Sequence, residues 1–350
     1  MENTRDKHVD VMLFWGIIFV VMGHFYQLPY FFFPAYTFHM ALFFFISGYL
    51  FKVKKTVREK ITFIIKKIKK QLLPFFLMNL FFGFISYVLI LKGINLTRGG
   101  INLHNFFIEP FISNHQFYLN IPNWFLFDLF VINIISQLIL FKDSKKLKII
   151  IFLITIPIAI FAVYKGLNKY VDFRLTAVRI CYGLSFFFVG ILFNEFKKDI
   201  IRLFSSPLLI MFLWSIVVLL KTSFGEIGYA IVWGSVLNTF YYIPLITTLI
   251  IVFISYIICY YISLIIKKDS AILIIGQNTF YIMALHLSIF FLINLIFYFF
   301  DKIDFPTLSK RYFFFEREKF FLIYEIPAIV LPTVLGVFIS KVKSKFSKNE

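Results

Sequence analysis

The chain has 350 residues, of which 60% are hydrophobic and 15% are charged, and its formal net charge is +18. Soluble domains carry about a quarter charged residues, so this composition excludes an ordinary water-soluble fold. Apolar stretches of roughly 17 residues or more recur along the chain, which predicts a multi-span membrane protein. A strongly basic chain can indicate nucleic-acid binding, but here Lys and Arg lie between the apolar stretches, so we expect no nucleic-acid partner.

The fold class predicted from this pattern is all-α, a polytopic membrane helical bundle of about ten transmembrane helices. The predicted spans are residues 9–28, 36–52, 71–92, 122–141, 148–164, 175–196, 206–222, 243–266, 272–300 and 320–341. Of the 36 Lys and Arg residues, 24 lie in alternate connections on the side of the N-terminus. Cytoplasmic loops carry an excess of positive charge, so we expect one domain over residues 1–350 with both termini in the cytoplasm.

Four connecting segments depart from simple loops. Residues 52–71 form a basic amphipathic pattern, which predicts a cytoplasmic helix that either lies on anionic lipid or binds the phosphates of a nucleotide. Residues 93–121 and 301–319 are predicted extracytoplasmic loops, and the first is long enough to suggest a functional loop. Residues 228–242 are apolar but short, which favours a re-entrant or interfacial segment over an eleventh span.

Two histidines lie at corresponding ends of the first two spans. His24 follows Asp10 by 14 residues, or roughly 21 Å along a helix axis, and His39 lies just inside the second span. Both imidazoles are therefore expected to face one cavity, where a histidine can act as general base towards a hydroxyl group. The alternative for each is a buried histidine that donates to a backbone carbonyl. Ser47 is either a covalent nucleophile or, next to Gly48, a small residue that permits close helix packing.

Other polar residues near the span ends allow several interpretations. Asp128 and Arg179 are expensive to bury unpaired, so they either pair, line an acceptor cavity or face the membrane interface. His104 and His115 are interpreted as surface or acceptor-facing residues of the long loop. Neither these histidines nor the two cysteines have metal-ligand spacing, so no metal is expected.

A series of short motifs occurs along the chain in a fixed order: Arg5-Asp6, Asp10, Gly23-His24, Phe38-His39-Met40, Ile46-Ser47-Gly48-Tyr49, Leu72-Leu73-Pro74, Trp124-Phe125-Leu126, Gly276-Gln277-Asn278-Thr279-Phe280-Tyr281 and Leu285-His286. This order resembles the acyltransferase-3 family of bacterial integral membrane O-acyltransferases, and most of all its fucose 4-O-acetylase-like branch. Two positions depart from the family pattern. Leu13 replaces a residue that is often basic, and Lys67 and Lys70 replace an arginine pair.

The resemblance implies roles for residues at these positions. His24 is expected to be the essential base, with Asp10 and His39 as further catalytic residues. Arg5, Lys67 and Lys70 are expected to bind the acyl-CoA donor, although lysine lacks the bidentate fork of arginine. The residues expected to bind the acceptor are His286, Trp124, Asn278 and Arg179.

The predicted reaction moves an acyl group, most simply acetyl, from acyl-CoA to a hydroxyl of a cell-surface carbohydrate or its lipid-linked precursor. Acyl-CoA would be a co-substrate, so no permanently bound cofactor is expected. The predicted partners are acyl-CoA, the carbohydrate and membrane lipid, in the cytoplasmic membrane of a bacterium. A non-enzymatic flippase or exporter of surface polysaccharide is the main alternative, and a lipid-surface sensor that uses the basic helix is a second. Neither alternative requires the histidine pair.

Overall fold

The computed structural model describes residues 6–25, 35–166, 172–204, 206–225, 227–236, 240 and 242–346, so Arg5 lies outside the described residues. These residues form an α-helical bundle with one pair of two-residue strands, which confirms the predicted fold class. The helices are α1 (Lys7–Met22), α2 (His39–Tyr49), α3 (Val57–Lys67), α4 (Leu73–Leu91), α5 (Leu103–Phe107), α6 (Glu109–Ile112), α7 (Trp124–Ile139), α8 (Lys145–Gly166), α9 (Phe173–Glu195), α10 (Lys197–Phe204), α11 (Pro207–Phe224), α12 (Tyr242–Ile265), α13 (Ala271–Gln277), α14 (Thr279–Phe299) and α15 (Arg317–Phe346).

Nine helical segments within these ranges are long and apolar enough to cross a membrane. The predicted second span is shorter, because α2 has only 11 residues. At 1.5 Å per residue α2 extends roughly 16 Å, about half of a hydrocarbon core. The predicted ninth span, residues 272–300, is wrong as one helix, since the chain breaks at Asn278 between α13 and α14.

The basic segment and the third span are one structure. A capping box of Thr56 and Glu59 starts α3, and a π-helical turn at Ile68–Leu72 joins α3 directly to α4. The helix is therefore continuous across residue 71, where the sequence predicts the boundary between the basic segment and the third span. Pro74 does not break the helix, because it lies in the first turn of α4, directly after the π turn in which the Leu73 N–H donates to the Ile68 carbonyl.

The apolar segment at 228–242 does not form an eleventh helical span over its described part. Strands β1 (Tyr229–Ala230) and β2 (Ser235–Val236) pair antiparallel across a 3-10 turn at Ile231–Trp233. Gly234 closes this turn with φ of 58°, a left-handed conformation that glycine adopts without strain. Since Tyr229 and Ile231 are buried, irregular backbone here is enclosed by protein, as the sequence led us to expect.

Helix α1 lies at the centre and packs against α2, α12, α13, α14 and α15. Helices α2 and α9 approach each other through glycines. A Cβ atom added at Gly48 would stand 1.8 Å from the carbonyl oxygen of Phe187, and one at Gly190 would stand 2.0 Å from that of Phe45. Small residues allow helices in a membrane to pack at backbone contact, and this contact holds α2 against α9.

Helix α7 extends from one end of the bundle to the other. At one end its first residue, Trp124, is buried. At the other end the Gln137 side chain exchanges two hydrogen bonds with the backbone of Lys54, of 3.1 and 3.2 Å. Thirteen residues of helix place these ends roughly 20 Å apart, so Lys54, near the start of the basic segment, lies at the opposite end of α7 from Trp124.

The long connection before α7 is ordered and packs on α4. Thr97 and Phe117 form an isolated β-bridge, and the Asn79 side chain donates to the Phe106 carbonyl at 2.7 Å. Gln116 in turn donates to Asn79 at 2.6 Å. These bonds fix residues 114–123 against the bundle at the Trp124 end.

Candidate active site

Two histidines from distant parts of the chain meet near the end of α1. His24 lies in a 3-10 turn, Gly23–Phe25, and His286 lies on α14. Their Nε2 atoms are 3.2 Å apart. Phe290 and Tyr312 pack around the His24 ring, with centroids at 5.5 and 5.3 Å. His286 is fully buried, so its position and its partners are fixed by the bundle.

The hydrogen bonds of this pair determine where the protons lie. His286 Nδ1 is 2.9 Å from the Ile282 carbonyl oxygen. A carbonyl only accepts, so Nδ1 carries the proton, and Nε2 of neutral His286 has the lone pair. Nε2 of neutral His24 must then donate to His286. The lone pair of His24 is left on Nδ1, which is therefore the basic atom.

His39 is oriented in the same way by a backbone carbonyl. Its Nδ1 donates to the Ala35 carbonyl oxygen, and Tyr36 packs on the ring with centroids 5.3 Å apart. Neutral His39 therefore has its lone pair on Nε2. It can accept a hydrogen bond from a hydroxyl group, but it can donate to a developing oxyanion only as the imidazolium.

His24, His39 and His286 all line one cavity of about 230 Å³. Much of the rest of its wall is apolar or aromatic, with a few hydroxyl groups. The aromatic and hydroxyl side chains of the wall are Tyr36, Thr37, Phe38, Phe43, Ser47, Trp124, Phe125, Tyr182, Tyr229, Thr279, Phe280 and Tyr312. A concave apolar site with a few convergent polar groups is typical of small-molecule binding.

Arg179 supports the cavity wall from behind Trp124. Its guanidinium carbon lies 4.7 Å from the Trp124 ring centroid. Arg179 donates to the Ser113 carbonyl at 3.1 Å and lies 3.1 Å from His115 Nε2. Arg179 is only 1% exposed, so it does not face the membrane interface.

His115 is also buried, and its interpretation as a surface residue is wrong. Burial lowers the pKa of His115 well below 6.5, and the positive charges of Arg179, Arg311 and Arg98 lower it further. His115 is therefore neutral at pH 7 and accepts from Arg179 through Nε2. His115 supports the cavity wall through its contact with Arg179, but it does not itself line the cavity and so is not an acceptor-facing residue there.

A profile of the family described as Acyltransferase domain matches residues 6–341. The chain belongs to the acyltransferase-3 family. Searches of curated proteins and of solved structures found no significant match. Family membership makes the chain a multi-pass membrane acyltransferase, and it favours an enzyme over a flippase, an exporter or a lipid sensor.

The remaining predicted site residues of this acyltransferase lie outside the cavity. The Asp10 carboxylate accepts from Gln277 at 2.8 Å, about 21 Å along α1 from His24. Asn278 donates to the Ile274 carbonyl at 2.7 Å and faces Gly336. Asp10 and Asn278 thus join helices α1, α13 and α15, away from the reacting groups.

The two lysines lie at the end of α3 and in the π-helical turn that follows it. Lys67 is partly buried, with its ammonium 5.3 Å from the Phe63 ring centroid, and Lys70 is exposed on the π-helical turn. Lys70 lies only five residues before Phe75, whose carbonyl accepts from Asn123 at 2.8 Å, so the two lysines are nearer than Lys54 to the Trp124 end of α7. Their role stays a prediction.

Asp128 and His104 take no part in the cavity lining. Asp128 is buried and interacts electrostatically with Arg179, but it is beyond ion-pair distance, so the alternative in which the two form an ion pair is wrong. His104 is exposed and lies 3.9 Å from the Glu109 carboxylate. Among the described residues, no group of three His, Cys, Asp or Glu side chains could hold a metal ion.

The sequence reasoning missed Tyr36, Tyr312 and Trp233, which pack against His24, His39 or His115. One local signal was available for Tyr36, since it lies three residues before His39. Nothing local marks Tyr312 or Trp233, because the chain is rich in aromatic residues and contains 19 Tyr and 52 Phe.

Proposed function

We propose that this protein transfers an acyl group, most simply acetyl, from acyl-CoA to a hydroxyl group of a carbohydrate. The observation that carries the proposal is the His24–His286 hydrogen bond at the wall of the cavity. A base within a membrane protein is costly unless it is functional. Here the base is oriented by a second buried histidine and opens on a cavity that admits a small substrate.

The proposed step needs one base and one thioester. Nδ1 of His24 takes the proton of the acceptor hydroxyl as the oxygen attacks the thioester carbonyl carbon. The carbon–sulfur bond then breaks, and the CoA sulfur takes the proton from the His24 imidazolium. The products are an O-acyl ester and free CoA, and His24 returns to its neutral form. His39, through the Nε2 lone pair, orients the hydroxyl group.

The arrangement of charge suggests how the donor is held. The basic segment at Lys54–Lys70 suits the phosphates of acyl-CoA. It begins at Lys54, roughly 20 Å from Trp124, and runs along α7 towards Trp124. Phosphates bound near Lys54 would leave that distance to be covered by the extended arm of the donor or by its acyl group. The sequence places the basic segment in the bacterial cytoplasm and His24 towards the outside.

The experiment uses membrane vesicles that contain the full-length protein. The donor is acetyl-CoA, and the acceptor is surface polysaccharide of the producing cells after mild alkali has removed its O-acyl esters. We expect release of free CoA together with acetyl transfer to the polysaccharide, and loss of both in His24→Ala. His104→Gln, which changes an exposed histidine, is the matched control. CoA release that continues in His24→Ala would refute the assignment of the base.

A further inference from the structure

Two arginines and four aromatic rings form a continuous stack beside the cavity. The Arg311 guanidinium carbon lies 5.3 Å from the Tyr118 ring centroid and 4.2 Å from that of Trp233. Trp233 packs on His115 with centroids 4.3 Å apart. His115 contacts Arg179, which lies over Trp124. This arginine stack joins four separate segments of the chain at the His24 end.

The positive charge of Arg311 has no countercharge in the described part of the chain. No carboxylate there lies within 4 Å of its guanidinium group. Its Nε atom is buried and has no hydrogen-bond partner among the residues that the structure describes. Arg179 has neutral acceptors and the more distant Asp128, whereas the neighbours of Arg311 are neutral aromatic rings. The Arg311 side chain is half-buried, so water solvates only part of its charge, and an anion would supply the missing countercharge.

Arg311 is close enough to the reacting histidine to hold one end of a substrate. It lies 4.6 Å from the Tyr312 ring centroid, and the Tyr312 and His24 centroids are 5.3 Å apart. The guanidinium group and the His24 ring are thus within about 10 Å, comparable to the length of a disaccharide. Arg311 lines a second hollow, and Tyr312 lines both this hollow and the main cavity.

We infer that the acceptor is an acidic carbohydrate, whose carboxylate or phosphate group binds Arg311 while one of its hydroxyl groups reaches His24. This inference rests on the proposed function and adds the chemical class of the acceptor. The planar guanidinium group matches both anions through paired N–H donors. Its stacking on Trp233 and Tyr118 fixes the plane of the group before the acceptor arrives, which reduces the entropy lost on binding.

The first experiment measures binding to the purified full-length protein at constant ionic strength. The probes are glucuronate, glucose 6-phosphate, glucose and inorganic phosphate. We expect one of the two acidic sugars to bind at least tenfold more tightly than glucose and than inorganic phosphate, and the stronger one identifies carboxylate or phosphate as the natural group. Equal binding of glucose would overturn the inference, as would equal binding of inorganic phosphate, since that result describes an ion site only.

Variants of Arg311 then test whether this side chain binds the anionic group. Arg311→Gln should abolish the preference for the acidic sugar, and Arg311→Lys, which keeps the charge but loses the planar fork, should retain part of it. Lys302→Gln removes the same charge from an exposed lysine of the same connection that does not line the second hollow, and it should leave the preference unchanged. Equal behaviour of Arg311→Gln and Lys302→Gln would overturn the inference. If Arg311→Gln does not fold, the wild-type preference and Arg311→Lys still decide the question.

The second experiment separates this inference from the proposed function. The de-esterified polysaccharide is divided by anion exchange into neutral and acidic fractions, and each is supplied with acetyl-CoA. We expect CoA release with the acidic fraction alone. Equal release with the neutral fraction would overturn the inference while the proposed function stands. Absence of release with either fraction, together with tight binding of an acidic sugar, would overturn the proposed function and leave the anion site.

Discussion

Replacement of His286 by leucine tests whether the second histidine acts through the first. Leucine removes the acceptor of the His24 Nε2–H bond, which spans 3.2 Å, and it preserves much of the buried volume. When His24 takes the hydroxyl proton it becomes an imidazolium, and this hydrogen bond becomes charge-assisted. Hydrogen bonds to charged groups contribute about 1.5–3 kcal/mol. Loss of the bond should therefore lower kcat about 10-fold to 150-fold.

The assay is release of CoA from acetyl-CoA at a saturating concentration of de-esterified polysaccharide, normalised to the amount of folded protein. His286→Gln offers a carbonyl acceptor to His24 and should recover part of the loss. His24→Ala should lower kcat about 10²-fold to 10⁴-fold, and adding His286→Leu to it should have little further effect. A His286→Leu variant with wild-type kcat, or a double variant whose losses multiply, would refute the coupling between the two residues.

Three further changes follow from other parts of the structure. Gly48→Ala places a methyl group against a backbone oxygen of α9, so overpacking should cost about 1–3 kcal/mol or more; an unchanged Tm in detergent would contradict this. The pKa of folded His115 lies below its unfolded value near 6.5, so the unfolded chain binds more protons and stability falls as the pH drops below about 6.5. His115→Asn should reduce this acid sensitivity, and an unchanged slope of Tm against pH would exclude His115 as its source. Lys67→Gln with Lys70→Gln should raise KM for acetyl-CoA several-fold without changing KM for the acceptor, whereas Lys92→Gln, at an exposed lysine just after α4, should change neither. An effect on KM for the acceptor alone would reverse the assignment.

The His24–His286 pair shows which features of the candidate site can be predicted from local sequence patterns and which cannot. The position of His24 at the end of an apolar span was readable, because a titratable ring at that place is costly and conspicuous. His286 was recognisable as polar within a span, but its partner lies 262 positions away. Hydropathy does not specify which faces of two helices meet, so the contact and the resulting tautomer came only from packing.

For His115 the local sequence pattern gave a wrong prediction. In the sequence it lies in a long polar connection, where a histidine is usually exposed. In the fold that connection is pinned to α4 by Asn79 and Gln116, and His115 is enclosed between Arg179 and Trp233. A loop that covers one end of a helical bundle buries some of its side chains, even where its polar composition predicts that they are exposed.

The sequence by itself determined the all-α membrane bundle, most of its spans and the family. The reason is that a segment within the hydrocarbon core must satisfy its backbone hydrogen bonds internally. A run of about 20 apolar residues can do so as an α-helix, so hydropathy alone predicts the helices. The tertiary structure alone decided the shortness of α2, the break at Asn278, the basic atom of His24 and the arginine stack at Arg311. Each of these depends on contacts between segments far apart in the chain, set by close packing at glycines and by hydrogen bonds to single carbonyl groups.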